Sequence, residues 1–449
     1  ALFTVGLSVL TGVVFGLIPA LQASRVDVTT SLKEASGRSG SGLRQNWTRS
    51  ILVVIEVALA VVLLIGSALL IKSAARLAGV DPGFDATNVL TMRMSLTGPQ
   101  FKTAEGVEQM VQNAVERLKA VPGVELASAT CCVPLQGGYG LPFRVGGRPL
   151  DHGPFHGGAG WTTVSPGYFE IFRIPLRKGR SFATTDRAAS TPVVIVNEAF
   201  TRQFFQGQEA IGQRLTIGKG VMREFATEQE REIIGIVRDS RDGGLNADPQ
   251  PLMFIPQAQV PDAANALNVS LSPMAWVVRT RADPAEFSTA IQDSLRQTTG
   301  LPVSQVQSMN DVVSLSTSRQ RFNMWLMTVF GAAAMLLAAI GIYGVMAYSV
   351  SQRKQELAIR LALGAQLSAV RRMVIRQGML LALAGTVIGL AASLGLARFM
   401  ADFLFETGQR DPAVFTTVPI VLLLVALAAV WIPAARASGV DPVKALQGN

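Results

Sequence analysis

The sequence predicts a membrane α-helical protein: a four-helix membrane unit plus one helix of a preceding unit, carrying a large α/β domain outside the cytoplasm. Three observations predict it. Of 449 residues, 49% are hydrophobic and 16% charged, against about 25% charged in an average soluble domain. Five runs reach the ~20 apolar residues that a helix needs to cross a hydrocarbon core. Between the second and third runs lie about 250 residues in which short β-branched stretches alternate with amphipathic helical ones, the pattern of a mixed α/β domain.

The apolar runs cover residues 1–21, 51–71, 324–350, 378–397 and 414–435. The first lacks an initiating Met and a basic n-region, so it reads as a span from the middle of a longer polypeptide rather than a signal peptide. Lys and Arg in short connections stay on the cytoplasmic side during insertion. Residues 22–50 carry Arg25, Lys33, Arg38, Arg44 and Arg49, and residues 351–377 carry Arg353, Lys354, Arg360, Arg371, Arg372 and Arg376, which puts both inside. The loop 399–413 holds Asp402, Glu406 and Asp411 against Arg410 and faces outward, and the tail with Arg436 and Lys444 returns inside. The stretch between Lys72 and Arg321 is therefore extracytoplasmic. The net charge of +9 follows from this topology and from contact with anionic lipid, not from nucleic acid.

Glu56 lies about five residues inside the second run. At 1.5 Å per residue that is under ~10 Å from the cytoplasmic end, which predicts a carboxylate that reaches headgroups or pairs with Arg49. Small residues recur at every fourth position in the first run (Ser8, Gly12, Gly16, Ala20) and in the fourth (Gly385, Gly389, Ser393, Ala397). Such stripes let backbones approach closely and mark helix-packing faces, within a subunit or between subunits.

In the outside domain the pattern predicts strands at 89–95, 124–130, 192–196, 232–237, 251–255, 276–280 and 303–306, and helices at 103–121, 198–205 and 284–298. The last helix is entered through Asp283 as N-cap and Pro284 in the first turn. The Gly- and Pro-rich stretch 135–160 is expected to divide the domain into two lobes. Signs of catalysis are missing. Residues 212–220 (GQRLTIGKG) have the wrong spacing for a phosphate loop and a Gly where its hydroxyl belongs, and neither a GxSxG elbow nor an HExxH motif occurs. Asp239, Asp242 and Asp248 sit in a turn-rich DSRDGGLNADP and read as solvated turn residues. Tyr168, Phe169 and Phe172 read as core. Cys131 and Cys132 are adjacent, awkward for a disulfide and outside any CxxC motif. His152 and His156 stand in DHGPFHGG, where Gly and Pro forbid the helix that would bring two imidazoles onto one metal.

The connection between the third and fourth runs reads SQRKQELAIRLALGAQLSAVRRMVIRQGM. Leu357, Ile359, Leu361 and Leu363 interleave with basic residues, Gly364 and Ala365 break the run, and a second helix follows with Val370, Met373 and Val374 on one side. A short amphipathic helix exposed inside the cell suits either a docking element or an interfacial anchor. An internal repeat is also present. Ile18, Pro19, Ala20, Ala23, Ser24, Val26, Asp27 and Leu32 recur in register as Ile432, Pro433, Ala434, Ala437, Ser438, Val440, Asp441 and Leu446. The first run therefore reads as the final span of an earlier copy of the same unit.

The order span, outside domain, span, basic connection, span, short outer loop, span resembles that of MacB/FtsX-like permeases, the membrane subunits of ABC transporters. The matching motifs are RKQELAIRLALGA in the connection, SGVDPVKAL at the tail, and GRSFATTD, VVIVNEAFTRQFF, AIGQRL and IIGIVRDSR in the outside domain. The repeat is similar to that of tandem-unit MacB-like permeases. The resemblance implies an inner-membrane protein in a dimer or pseudo-dimer with a cytoplasmic ABC ATPase, and is compatible with a periplasmic adaptor or outer-membrane partner. It further implies that the segment Arg353, Lys354, Glu356, Ile359, Arg360, Leu363, Gly364 and Ala365 contacts the ATPase. ATP is then handled by the partner, and no cofactor is expected on this chain.

Two function classes follow. The first is a permease that passes ATPase-driven motion to its periplasmic domain to export or extract a drug, peptide, lipid or lipoprotein. The second is a non-transporting scaffold that regulates a periplasmic partner such as a wall hydrolase. A membrane-bound enzyme is a weak third.

Overall fold

The computed structural model describes residues 41–150, 153–363, 365–399, 407–408 and 410–438. The first apolar run with Gly12 and Gly16, the N-terminal copy of the repeat and the end of its C-terminal copy, His152, Gly364, Asp402, Glu406 and Lys444 lie outside the described residues. In chain order the elements are α1 (Ser41–Ala78), β1 (Val89–Met94), α2 (Ala104–Lys119), β2 (Val124–Thr130), β3 (Tyr139–Val145), β4 (Gly157–Val164), α3 (Tyr168–Ile171), β5 (Leu176–Gly179) and β6 (Val193–Asn197). There follow α4 (Glu198–Phe204), β7 (Arg214–Ile217), β8 (Arg231–Val237), β9 (Leu252–Pro256), α5 (Asp262–Leu271), β10 (Met274–Thr280), α6 (Pro284–Thr299) and β11 (Val303–Ser308). The chain closes with α7 (Met309–Ser316), α8 (Ser318–Gln352), α9 (Lys354–Ala362), α10 (Leu367–Leu396) and α11 (Pro412–Ser438). It divides into two compact units, residues 1–70 with 326–449, and residues 71–325.

In the first unit, four helices among the described residues are long and apolar enough to cross a membrane: Trp47–Ala78, Ser318–Gln352, Leu367–Phe399 and Pro412–Ala437. Each outruns its apolar stretch, because a helix once nucleated continues at low cost through residues of good propensity. One expectation changes as a result. The second helix of the cytoplasmic connection is not a separate element; Leu367 opens α10 and the helix runs unbroken into the span. Val57, Val61, Ile65 and Leu69 of α1 share a buried core with Ile342 and Met346 of α8, Ala382 of α10, and Ala426 and Val430 of α11. The small residues of α10 face α1. A Cβ on Gly385 would sit 2.7 Å from the Val57 side chain and 2.8 Å from the Val54 carbonyl, and one on Gly389 would sit 2.7 Å from the Ala58 carbonyl. Buried hydroxyls on this helix satisfy themselves: Thr386 donates to the Ala382 carbonyl and Ser393 to that of Gly389, each at 2.7 Å.

The second unit is built on one 11-stranded sheet that does two different things. Strands β11-β1-β10-β2 pair antiparallel in that order, the ferredoxin-like β-α-β-β-α-β arrangement once α2 and α6 are counted. Their apolar faces bury Met92, Met94, Trp276, Val111, Leu118, Ile291 and Leu295 in one cluster. Between β2 and β10 the chain inserts a second lobe in which β4-β3-β7-β8-β6-β9 runs back to β4, so that six strands close a ring. Phe143, Trp161, Val194, Val196, Phe200, Leu215, Ile217 and Met253 belong to its core.

The lobes meet between β2 and β4 at a single ladder pair, Thr130 with Val164. Hydroxyls reinforce that seam, with Thr130 Oγ1 donating to the Thr163 carbonyl at 2.8 Å and Ser128 Oγ to that of Ser165 at 3.0 Å. The Gly- and Pro-rich stretch 135–160 is thus no divider. It contains β3 and the start of β4, and glycine serves there because a Cβ on Gly157 or Gly160 would strike Phe204 or Leu252. The rejected phosphate-loop stretch is β7 and the turn after it.

Candidate functional site

The cytoplasmic connection folds into an elbow. Arg353 is the single residue between α8 and α9, and its backbone (φ −103°, ψ 15°) leaves helical geometry. Its carbonyl accepts from the Leu357 N–H at 2.9 Å, which restarts the helical ladder at once. The helix closes with the Leu363 N–H on the Ile359 carbonyl and the Ala365 N–H on the Arg360 carbonyl, both at 3.0 Å. Gln366 then takes an extended conformation (φ −67°, ψ 139°) to enter α10.

A helix of nine residues is too short to persist on its own in water, so the face it buries must hold it. Leu357 and Ala358 are buried, and Leu357 shares a cluster with Val350 of α8 and with Val370 and Val374 of α10, flanked by Leu361 and Met373. The opposite face is uncovered. Ile359 and Leu363 are 45% and 83% exposed, and Leu367 at the head of α10 is 57% exposed. Around them Arg353, Lys354, Glu356, Arg360 and Ala365 are also exposed. Glu356 and Arg360 pair at 2.6 Å, a contact worth about 0.3–0.5 kcal/mol on an open helix face. Arg360 Nη1 also lies 3.3 Å from the Met373 sulfur, tying α9 to α10. An apolar pair ringed by both signs of charge offers no nucleophile or proton relay.

Sequence reasoning missed the residues that fix the neighbouring helix ends. Arg49 stacks its guanidinium 4.0 Å above the Tyr348 ring, Arg371 lies 5.3 Å from the Trp431 centroid, and Arg436 donates to the Tyr343 hydroxyl at 2.9 Å. Three of the basic residues counted for topology, Arg49, Arg371 and Arg436, thus have an aromatic on another helix, two of them as cation–π contacts. The only sequence signal was the presence of Tyr and Trp near span ends. Arg49 is engaged by Tyr348 and not by Glu56, because the Glu56 carboxylate lies against α8 at Gly341, where a Cβ would collide with it.

The outside domain's candidates take structural roles. Asp239 accepts from the Ala199 N–H at 2.6 Å and from Arg202 at 2.7 Å, capping the first turn of α4. Asp248 is exposed. Asp242 has one carboxylate oxygen buried without a partner, and burial pushes its acid up to about 6 despite a hydrogen bond with the Ser240 side chain. The solvated reading therefore fails for two of the three. Tyr168, Phe169 and Phe172 are buried in one cluster with Phe84 and Phe254. His156 is a loop residue whose Nδ1 accepts from the Val145 N–H at 3.1 Å, leaving Nε2–H for the Pro149 carbonyl at 3.1 Å.

Two family models match. One, described as "MacB-like periplasmic core domain", covers residues 50–297, and the other, "FtsX-like permease C-terminal", covers 328–442 and with it the elbow. Among similar proteins, the macrolide export ATP-binding/permease protein MacB of Azoarcus sp. (strain BH72) is 24% identical over 94% of this chain and 61% of its own length. The macrolide export ATP-binding/permease protein MacB 1/2 of Paracoccus denitrificans is 25% identical over 66% of this chain and 43% of its own. The chain thus spans roughly half the length of these relatives. The crystal structure of the periplasmic region of MacB from Actinobacillus actinomycetemcomitans aligns over 52% of this chain and 94% of that one, at 14% identity and a TM-score of 0.35. With one model spanning more than half of the sequence and the other the elbow and its flanking helices, the chain belongs to the MacB/FtsX-like family of ABC-transporter permeases, multi-pass inner-membrane proteins with a periplasmic core domain.

Proposed function

We propose that this chain transmits the motion of a cytoplasmic ABC ATPase to its periplasmic domain, and that the ATPase seats on the outer face of α9. Arg353, Lys354, Glu356, Ile359, Arg360, Leu363, Gly364 and Ala365 make that contact, and ATP is bound by the ATPase, whether a separate protein or a part of a longer polypeptide. Two permease units act together, as a dimer or pseudo-dimer. The cargo is an amphipathic molecule exported or extracted from the membrane: a drug, a peptide, a lipid or a lipoprotein.

One observation carries this reading: α9 spends Leu357 and Ala358 on its own core while leaving Leu363 83% exposed beside Ile359. An uncovered apolar anchor within a charged rim is how a protein interface concentrates its binding energy. The small buried face also makes α9 movable relative to the spans, whereas a docking site on a rigid span would pass on no local motion. The decisive measurement is co-purification of the ATPase with the membrane-extracted chain. Ile359→Asp with Leu363→Asp, both exposed and therefore tolerated by the fold, should abolish it. Undiminished recovery of the ATPase with this folded double variant would overturn the assignment, and normal cargo handling in cells carrying it would favour the scaffold instead.

A further inference from the structure

We propose that Glu56, together with a glycine notch on α8, forms a membrane-facing site for the ammonium group of a lipophilic amine. Glu56 is the one acidic or basic side chain in any of the five apolar runs, and an intramembrane charge calls for a partner. Its depth is fixed by the antiparallel contact of α1 with α8. Arg49 stacks on Tyr348. Seven residues further along each helix the Glu56 carboxylate meets Gly341, where an added Cβ would overlap Oε2 and lie 3.3 Å from Oε1. At 1.5 Å per residue that is about 10 Å deeper than the Arg49 layer, and below a headgroup region only about 5–8 Å thick. The same helix pair satisfies its other polar contact itself: Ser67 faces Gly331 and donates to the Met327 carbonyl at 2.6 Å. Glu56 has no hydrogen bond or ion pair among the described residues.

An ionised carboxylate only accepts hydrogen bonds, and the N–H groups of α8 beside it are engaged in that helix's own ladder. The donor must therefore come from outside the helix pair. Room for one exists: one turn from Gly341 toward the cytoplasm, a Cβ on Gly344 would meet nothing within 4 Å. The walls on either side are apolar and uncovered, Ile55 and Leu59 on α1 and Leu337 and Ile340 on α8, each more than half exposed. These features select the guest. Two carboxylate oxygens are too few for a hard metal ion, which takes about six or more. A phospholipid ammonium is tied to a phosphate that would have to leave the headgroup layer. An amine on an apolar body has neither difficulty. Entering unprotonated, it takes the proton of the Glu56 carboxyl, so that an N–H bond replaces the O–H bond and an ion pair forms without net charge entering the hydrocarbon. The ammonium then donates to the carboxylate across the notch, while its chain lies along the Leu and Ile walls. The site belongs to this chain's own helices and depends neither on the ATPase nor on transport.

The test places the full chain in phosphatidylcholine nanodiscs and measures saturable binding of tritiated dodecylamine by scintillation proximity. The native chain should take up one amine per chain, displaced by unlabelled dodecylamine and not by dodecanol. Glu56→Gln keeps the shape, relieves the fold of a charge and should weaken binding at least about tenfold. Gly344→Leu fills the notch without disturbing a helix contact and should weaken it likewise, whereas Gly395→Leu should bind as native. A native chain without saturable uptake would overturn the site, as would a Glu56→Gln chain that binds like the native one. Displacement of the amine by phosphatidylethanolamine added to the nanodiscs would mark a lipid-headgroup site and equally overturn the assignment.

Discussion

Asp242 is the residue at which this fold accepts an electrostatic cost. Its buried oxygen has no partner, and its acid titrates at about 6 against 3.8 for an unconstrained aspartate. Because the folded value lies above the unfolded one, stability is fullest below pH ~4, where both forms are protonated, and is lost as pH rises through 6. At neutral pH the carboxylate therefore destabilises the domain by about 3 kcal/mol, on the scale of 1.36 kcal/mol per pH unit. Asp242→Asn removes the charge and keeps the shape. It should raise the midpoint of thermal unfolding of the solubilised chain by a few degrees at pH 7.5 and leave it unchanged at pH 4. A gain independent of pH would show that the carboxylate is not the cause. Asp85 has the opposite balance: burial raises its acid, but the Thr87 N–H with Arg279 and Arg173 outweighs that and holds it below the usual carboxylate range.

At the scale of elements, glycine decides where helices and strands can meet. Gly385 and Gly389 seat α10 directly on α1, while a Cβ on Gly395, on the same helix, would meet nothing within 4 Å. Gly385→Leu should thus cost on the order of 3 kcal/mol by overpacking and lower the yield of folded, detergent-extracted chain, whereas Gly395→Leu should behave as native; equal behaviour of the two would refute the packing role. The same residue type explains what the sequence left unreadable. β6 (VVIVN) and β8 (REIIGIV) are β-branched and were legible, but β3 (YGLPFRV) and β4 (GGAGWTTV) carry Gly and Pro, which punctuate a pattern. Their glycines are there so that Phe204 and Leu252 can close the ring, a tertiary demand with no local signature. At the elbow, charge and apolarity were legible in RKQELAIRLALGA. Which of its apolar residues turn inward was not, since Leu357 and Ile359 differ only in what α8 and α10 place beside them.

For the molecule as a whole, the proposed transmission requires that movement along α1 reach both lobes. The segment after α1 is fastened by each. Asp81 accepts from Arg238 at 2.7 Å, and the Pro82 carbonyl accepts from the Arg241 N–H at 3.0 Å. Gly83 (φ +83°) passes so close to the Asp239 carbonyl that a side chain would overlap it, and Phe84 packs edge-on against Phe172 at 5.7 Å. These are contacts to the ring lobe. From β10 of the other lobe, the buried Arg279 donates to the Asp85 carbonyl at 3.1 Å, to that of Thr87 at 2.9 Å and to that of Ile171 at 2.6 Å. A pull on this segment therefore loads both lobes, although the lobes themselves share only one ladder pair. Phe84→Ala combined with Arg238→Ala removes two side-chain anchors to the ring lobe, keeps the backbone bonds of Pro82 to Arg241 and of Asp85 to Phe172, and leaves Arg279 and the elbow intact. The double variant should retain its ATPase partner in co-purification, while the ATP-dependent change in hydrogen exchange expected in both lobes of the native assembly should persist in β10 and weaken in β6 and β8. Persistence of the native response in β6 and β8 would mean that motion enters the ring lobe by another route.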